Sequence, residues 1–258
     1  MSKINFYTQG EGFPVMLLHG FCETSKVWEA WVKLLPNKFK VYVLDLPGFG
    51  KSPQVDATSL ADIAKEVNAL MEAENIEKTI MIGHSLGGYI TLEFAQLFPE
   101  KLKGFGLFHS TAYEDDEEKK ANRTKTIEFV AEKGVRAFSK GFAKNLFAPQ
   151  NIDKCAEDIQ LVADLCAETS KETFCQYASM MRDRQDYKPT LEAFDRPIFI
   201  ITGKEDPILD LQEQNVQARL SQYITLHLID ETGHMGMFEQ PEETAAMVSG
   251  FVNAVSKF

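Results

Sequence analysis

The segment Gly83-His84-Ser85-Leu86-Gly87-Gly88 follows the apolar run Lys78-Thr79-Ile80-Met81-Ile82 and precedes Tyr89-Ile90-Thr91-Leu92-Glu93-Phe94-Ala95. The run before it reads as a buried strand and the stretch after it as a helix, so Ser85 falls on the turn between them. A serine on such a turn must direct its hydroxyl out of the packed layers, and that requires neighbours without bulk. Gly83 and Gly87 meet the requirement. The helix that begins there also offers free amides and a favourable dipole to developing negative charge.

Outward from this turn, strand and helix signals alternate. Residues 3–8 read as a first edge strand, and Pro14-Val15-Met16-Leu17-Leu18 as a short buried strand ending at His19-Gly20-Phe21. A helix is expected from about Ser25, because Trp28, Trp31, Val32 and Leu35 recur at helical spacing before Pro36. Lys40-Val41-Tyr42-Val43-Leu44 begins another buried strand, with Asp45-Leu46-Pro47-Gly48-Phe49-Gly50-Lys51-Ser52 as its exit loop. Ser59 caps a further helix that buries Leu60, Ile63, Val67, Leu70 and Met71, and Asp62 stands at the capping-box position. The helix over 86–97 stops before Pro99, and Leu102 to Phe108 reads as a strand ending at His109-Ser110.

Between about Thr111 and Pro189 the alternation gives way to charged helical stretches, starting with Glu114-Asp115-Asp116-Glu117-Glu118-Lys119-Lys120, which reads as a solvated helix start. Strand signals resume at Ile198 to Thr202, followed by a helix near Leu211 to Leu220 and a strand over Ile224 to Ile229. A final helix from about Pro241 carries Ala245, Val248, Val252 and Val255 on one stripe. The expected fold is α/β: a mostly parallel sheet flanked by helices, with a helical insertion over about 111–190 after the strand near 102–108. No repeat, low-complexity tract or linker divides the chain, so residues 1–258 are expected to form one domain.

Composition narrows the function. The 258 residues are 44% hydrophobic and 25% charged, which suits a globular domain with a sizeable core. A formal net charge of -11 argues against nucleic acid and against an anionic membrane surface, both of which need clustered Lys and Arg. Met1-Ser2-Lys3-Ile4-Asn5-Phe6 contains no apolar signal stretch, and no run approaches the ~20 apolar residues of a membrane span. Cys22, Cys155, Cys166 and Cys175 lack zinc-type spacing and read as reduced thiols. The expectation is a cytoplasmic protein without metal or cofactor; the oligomeric state stays open.

Two further loops bear on Ser85. Thr202-Gly203-Lys204-Glu205-Asp206-Pro207 leaves one predicted strand, and Thr232-Gly233-His234-Met235 leaves the next. A histidine can take the serine proton during attack and return it to a leaving group near neutral pH, and an acid can hold its tautomer. Glu205 and Asp206 both offer a carboxylate for that task.

With these segments in this order, the chain resembles the α/β-hydrolase family, whose nucleophile elbow has the pattern G-x-S-x-G. The resemblance spans nearly the whole chain, from His19-Gly20-Phe21 through Asp45-Leu46-Pro47-Gly48-Phe49-Gly50 and the elbow to the acid and histidine turns. It implies Ser85 as nucleophile, Asp206 rather than Glu205 as acid, and His234 as base, the last supported by the following Glu239-Gln240-Pro241-Glu242. It also implies oxyanion donors at the N–H of Leu86 and of Phe21, and a lid built from the insertion. Phe138, Phe142, Phe147, Phe174, Tyr177, Met180 and Met181 are read chiefly as packing, with some of them able to roof an acyl or aryl group. His19 is expected to brace the oxyanion loop, His84 to fill space or bond locally, and His109 to line the pocket. Asp45 is expected to anchor its own turn, and Cys22 to be a small pocket-lining side chain.

The implied activity is hydrolysis of a small or medium carboxylic ester or related acyl substrate through an acyl-Ser85 intermediate. Thioester, lactone and carbon–carbon bond hydrolysis and cofactor-free perhydrolysis need the same triad. A non-catalytic small-ligand-binding protein of the same fold is the alternative of another class.

Overall fold

The computed structural model describes residues 3–257. Seven strands form one sheet: β1 (Phe6–Gln9), β2 (Phe13–Leu18), β3 (Phe39–Leu44), β4 (Thr79–His84), β5 (Leu102–Phe108), β6 (Ile198–Gly203) and β7 (Ile224–Ile229). Their spatial order is β1-β3-β2-β4-β5-β6-β7. Only β1 runs antiparallel, against β3; every other pairing is parallel. The chain is thus α/β with a mostly parallel sheet.

Residues of the inner strands alternate between two cores. Met16, Leu18, Tyr42, Leu44, Met81, Phe105, Leu107, Ile198 and Ile200 face one layer, and Val15, Leu17, Val41, Val43, Ile80, Ile82, Phe108, Phe199 and Ile201 face the other. Burial on both faces explains why these strands read as continuous apolar runs. The first layer holds α1 (Leu60–Ala73) and α2 (Leu86–Leu97), and the second holds α10 (Pro241–Val255). Ser59 caps α1 in the expected capping box with Asp62.

Three local expectations are corrected. The first strand begins at Phe6, because Asn5 is drawn away: its N–H donates to Ser52 Oγ at 2.7 Å and its Nδ2 to Asp45 Oδ2 at 2.9 Å. The helix expected from Ser25 is instead two short 3-10 turns, Ser25–Trp28 and Trp31–Leu34. Trp28 ends the first turn and Trp31 begins the second, and their rings lie 5.1 Å apart with both abutting Phe108.

The third concerns the acidic run before α3 (Glu117–Lys133), which is solvated except at Asp115. Asp115 is 2% exposed and pairs with Arg184 Nη1 at 2.7 Å and with Arg123. Between β5 and β6 the insertion comprises α3, α4 (Val135–Lys144), α5 (Ala156–Glu168), α6 (Lys171–Arg182) and α7 (Lys188–Ala193). After β6 come α8 (Leu211–Gln217) and, beyond β7, a single turn, α9 (Gly236–Glu239). Among the described residues no helix is long and apolar enough to cross a membrane.

Candidate active site

Parallel strands deliver their exit loops to one edge of the sheet, where such folds gather ligands and chemistry. There β2 leads into His19-Gly20-Phe21, β4 into Ser85, β5 into His109, β6 into Asp206 and β7 into His234.

The turn at Ser85 is as tight as its sequence implies. Ser85 has φ 49° and ψ -113°, a left-handed conformation that side-chain-bearing residues rarely adopt and that costs about 1–3 kcal/mol unless its surroundings fix it. The surroundings do fix it: Ser85 N–H donates to Phe108 O at 3.1 Å, and Ser110 Oγ donates to Ser85 O at 2.8 Å. A Cβ on Gly83 would stand 2.1 Å from Gly87 O, and one on Gly88 would stand 2.2 Å from Ser110 Oγ. Gly88 is a third glycine of the elbow that needs to lack bulk.

His234 Nδ1 lies 2.8 Å from Asp206 Oδ2, and both residues are buried. Glu205, the competing acid, is exposed and pairs with Gln150 Nε2. Asp206 Oδ1 accepts the N–H groups of Ile208 (2.8 Å) and Leu209 (3.2 Å). Burial alone would raise the Asp206 pKa, but the two histidines His234 and His109 hold its carboxyl well below the ordinary range. For His234 burial disfavours the charged ring, yet the Asp206 carboxylate outweighs it, with Glu23 and Glu239 assisting, and the pKa rises above its ordinary 6.5.

Ser85 Oγ and His234 Nε2 make no hydrogen bond among the described residues. What joins their loops is His84, whose ring lies 5.0 Å from that of His234 and whose Nε2 is 3.0 Å from the His234 carbonyl oxygen. The N–H groups of Phe21 and Leu86 likewise have no acceptor among the described residues, the condition expected of donors aimed at a ligand.

The other histidines are less bland than their sequence contexts. His19 braces its loop as expected, with Nδ1 2.8 Å from Gly20 O and Nε2 accepting Leu46 N–H at 2.9 Å. His84 bonds across the fold rather than locally, with Nδ1 3.0 Å from Glu23 Oε2. His109 is fully buried, lies 3.2 Å from Asp206 Oδ2 through Nδ1, and leaves its buried Nε2 without a partner. Asp45 accepts Lys51 N–H within its own loop and also ties down Ser25 N–H and Asn5. Cys22 is wholly buried beside Cys166 and Phe174, and all four cysteines are free thiols.

Two acidic residues of the site carried no sequence signal for their roles. Glu23 sits two residues beyond Phe21. Glu239, 0% exposed, accepts the N–H groups of Gly233 and Met235 on either side of His234, and that of Ala148. The spacing of Glu239 from His234 supported the family resemblance, but its buried clamp appears only in three dimensions. Ligand-type atoms of His109, Asp206 and His234 lie within 4.8 Å of one another. They are hydrogen-bonded among themselves, so a cation there would have to displace those bonds.

Above this edge, Phe21 packs on Phe174 (4.8 Å between ring centres) and Phe142 (6.3 Å) of the insertion. An apolar cleft of about 440 Å³, lined by Phe129, Phe138, Phe142, Leu146 and Ile208, adjoins it, and Leu146 O accepts His234 N–H at 2.7 Å. Neither this cleft nor a larger cavity of about 600 Å³ beside Tyr7, Lys26 and Lys51 is lined by Ser85 or His234.

Comparison with known proteins agrees with this architecture. Residues 14–124 match the family model described as alpha/beta hydrolase fold. The chain is 26% identical to 3-oxoadipate enol-lactonase 1 of Acinetobacter baylyi over 237 residues, covering 89% of this chain and 84% of the relative. It is 25% identical to 2-hydroxymuconate semialdehyde hydrolase of a Pseudomonas species over 272 residues, covering 97% and 90%. Among solved structures, a thermophilic esterase from Thermogutta terrifontis superposes with a TM-score of 0.92 at 27% identity, covering 98% of this chain and 93% of that one. The elbow, the strand order and the helical insertion give the chain the α/β-hydrolase fold.

Proposed function

We propose that this α/β-hydrolase is a serine hydrolase that cleaves a small or medium carboxylic ester, or a related acyl substrate, through an acyl-Ser85 intermediate. The observation that carries the reading is the buried His234–Asp206 pair beside a strained serine turn. His234 Nδ1–H donates to Asp206, which leaves Nε2 as the basic atom.

In the first half-reaction Ser85 Oγ bonds to the carbonyl carbon as its proton passes to His234 Nε2. The oxyanion accepts hydrogen bonds from Leu86 N–H and Phe21 N–H. Collapse breaks the carbon–oxygen bond, and the imidazolium gives its proton to the departing alkoxide. Water then attacks the acyl-enzyme with His234 again as base, releasing the acid and restoring Ser85. Asp206 stays ionised throughout and stabilises the imidazolium. The chemistry calls on no cofactor.

The helical insertion serves as a lid, and Phe142 and Phe174, which pack on Phe21, offer an apolar surface beside the proposed oxyanion donor that favours an apolar acyl or alkyl group. The relatives named for enol-lactone and semialdehyde hydrolysis support a second reading within the class, a cyclic ester or a carbon–carbon bond as the scissile group. A panel of p-nitrophenyl esters of rising chain length, set beside lactone, thioester and dienone substrates, tests these readings on wild-type protein and Ser85→Ala. Ester turnover lost in Ser85→Ala supports the first; turnover confined to lactone or dienone selects the second. No turnover of any substrate contradicts both and favours a binding protein.

A further inference from the structure

Glu23 and His84 form a second buried carboxylate–imidazole pair, 3.0 Å apart, with exposures of 2% and 0%. Glu23 Oε2 also accepts Gly20 N–H at 2.7 Å, and the other ring nitrogen of His84 meets the carbonyl oxygen of His234 at 3.0 Å. The contacts span 61 and 150 residues of sequence. Each ring nitrogen of His84 thus sits on one oxygen, a carboxylate at one end and a main-chain carbonyl at the other. Fit around the pair is close: a Cβ on Gly20 would stand 2.7 Å from His84 Nδ1 and 2.9 Å from Glu23 Oε1. Trp28 and Phe108 flank the ring edge-on, at 6.3 and 6.1 Å between centres.

We propose that Glu23 and His84 are positioning residues that lock the loop carrying Phe21, the turn carrying Ser85 and the loop carrying His234 into one register. The inference rests on the serine-hydrolase reading for its catalytic consequence, though not for the mechanical coupling. Gly20 is the residue before the proposed oxyanion donor, and His84 is the residue before the proposed nucleophile. The carbonyl held by His84 belongs to the proposed base. Stability alone is a poor reason for such a pair, since buried ion pairs can often be replaced by well-packed apolar side chains without loss of stability. Reacting groups, by contrast, lose rate steeply when displaced by about 1 Å.

The test compares wild type, Glu23→Gln and the doubly apolar Glu23→Leu/His84→Phe. For p-nitrophenyl acetate, Glu23→Gln is expected to lower kcat by roughly 10–100-fold with KM changed less than about threefold. The apolar pair is expected to recover thermal stability relative to the single variant while kcat stays low. Recovery of wild-type kcat in the apolar pair, or a Glu23→Gln kcat within twofold of wild type, overturns the proposal. Amide hydrogen exchange gives a readout independent of turnover. Glu23→Gln should speed exchange in residues 232–236, to which Glu23 makes no hydrogen bond among the described residues, together with residues 18–24. Unchanged exchange in 232–236 overturns the coupling. Failure of wild type to hydrolyse any ester counts against the hydrolase reading, and the exchange result still decides the coupling.

Discussion

His109 Nδ1 lies 3.2 Å from Asp206 Oδ2, the oxygen that His234 Nδ1 approaches at 2.8 Å. One carboxylate therefore serves two imidazoles, and their environments differ. Burial pushes the His109 pKa down to about 4 despite the acid beside it, whereas Asp206 lifts that of His234 against its burial. Gly203 N–H also points at His109 Nδ1, at 3.3 Å, so that atom stands between a main-chain donor and the carboxylate. Near neutral pH His109 stays uncharged, and in the proposed reaction His234 is the ring that exchanges a proton. A carboxylate with several donors is well suited to stabilising a neighbouring positive charge without itself taking the proton.

Asp206→Asn keeps the shape of the acid but removes its charge. In a comparable triad this change costs about 10⁴-fold in kcat, and a loss of that order is expected here by steady-state kinetics. Glu205→Gln, on an exposed side chain, is expected to leave kcat within about twofold. His109→Leu removes one polar contact to Asp206, the size of one hydrogen bond, and should lower kcat by about tenfold.

The pH profile follows from the direction of the His234 shift. In the proposed reaction its ring must be neutral to accept the Ser85 proton, and the pKa is raised above 6.5, so kcat/KM should fall as pH drops through a midpoint above 6.5. Asp206, Glu23, Glu239, His84 and His109 all face or surround this ring. His109 titrates well below the window. For stability, the raised pKa means that His234 contributes most below pH 6.5 and loses that contribution as pH rises through the folded value. The depressed Asp206 contributes above pH 3.8 and loses it on acidification. Chemical denaturation across pH measures both limbs.

Glu239→Ala removes the acceptor for three buried backbone N–H groups around His234. With each unsatisfied group costing about 1–3 kcal/mol, a loss of at least about 3 kcal/mol is expected from urea denaturation midpoints.

Gly83→Ala would drive a methyl to 2.1 Å from Gly87 O, which is main chain and cannot swing aside. The variant is expected to accumulate as unfolded protein, seen by circular dichroism, whereas Gly250→Ala, with open space around it, should fold normally.

Much of the fold was legible because apolar runs, caps and prolines each act locally. The bounds of α2 and β7 fall where Ser85, Pro99 and the turn at 221–223 put them. The double 3-10 turn at 25–34 was not legible, since Trp28, Trp31 and Val32 satisfy helical spacing until Phe108 from another strand sets which faces must meet. Asp115 hid in an acidic run because its partners, Arg123 and Arg184, come from elsewhere in the insertion. Within the site, Ser85, Asp206 and His234 announce themselves by glycine-flanked loops. Glu23, His84 and Glu239 do not: Glu23 and His84 meet across 61 residues, His84 reaches the His234 carbonyl across 150, and the short-range clamp of Glu239 on Gly233 and Met235 depends on how the loop folds back.

The central claim is that Ser85 is an activated nucleophile, and covalent labelling tests it most directly. Protein incubated with a fluorophosphonate at neutral pH is predicted to gain one phosphonyl group, mapped by peptide mass to Ser85. Labelling should be lost in Ser85→Ala and strongly slowed in the His234→Ala protein. A folded wild-type protein that gains no mass, or gains it at another residue, would contradict the account.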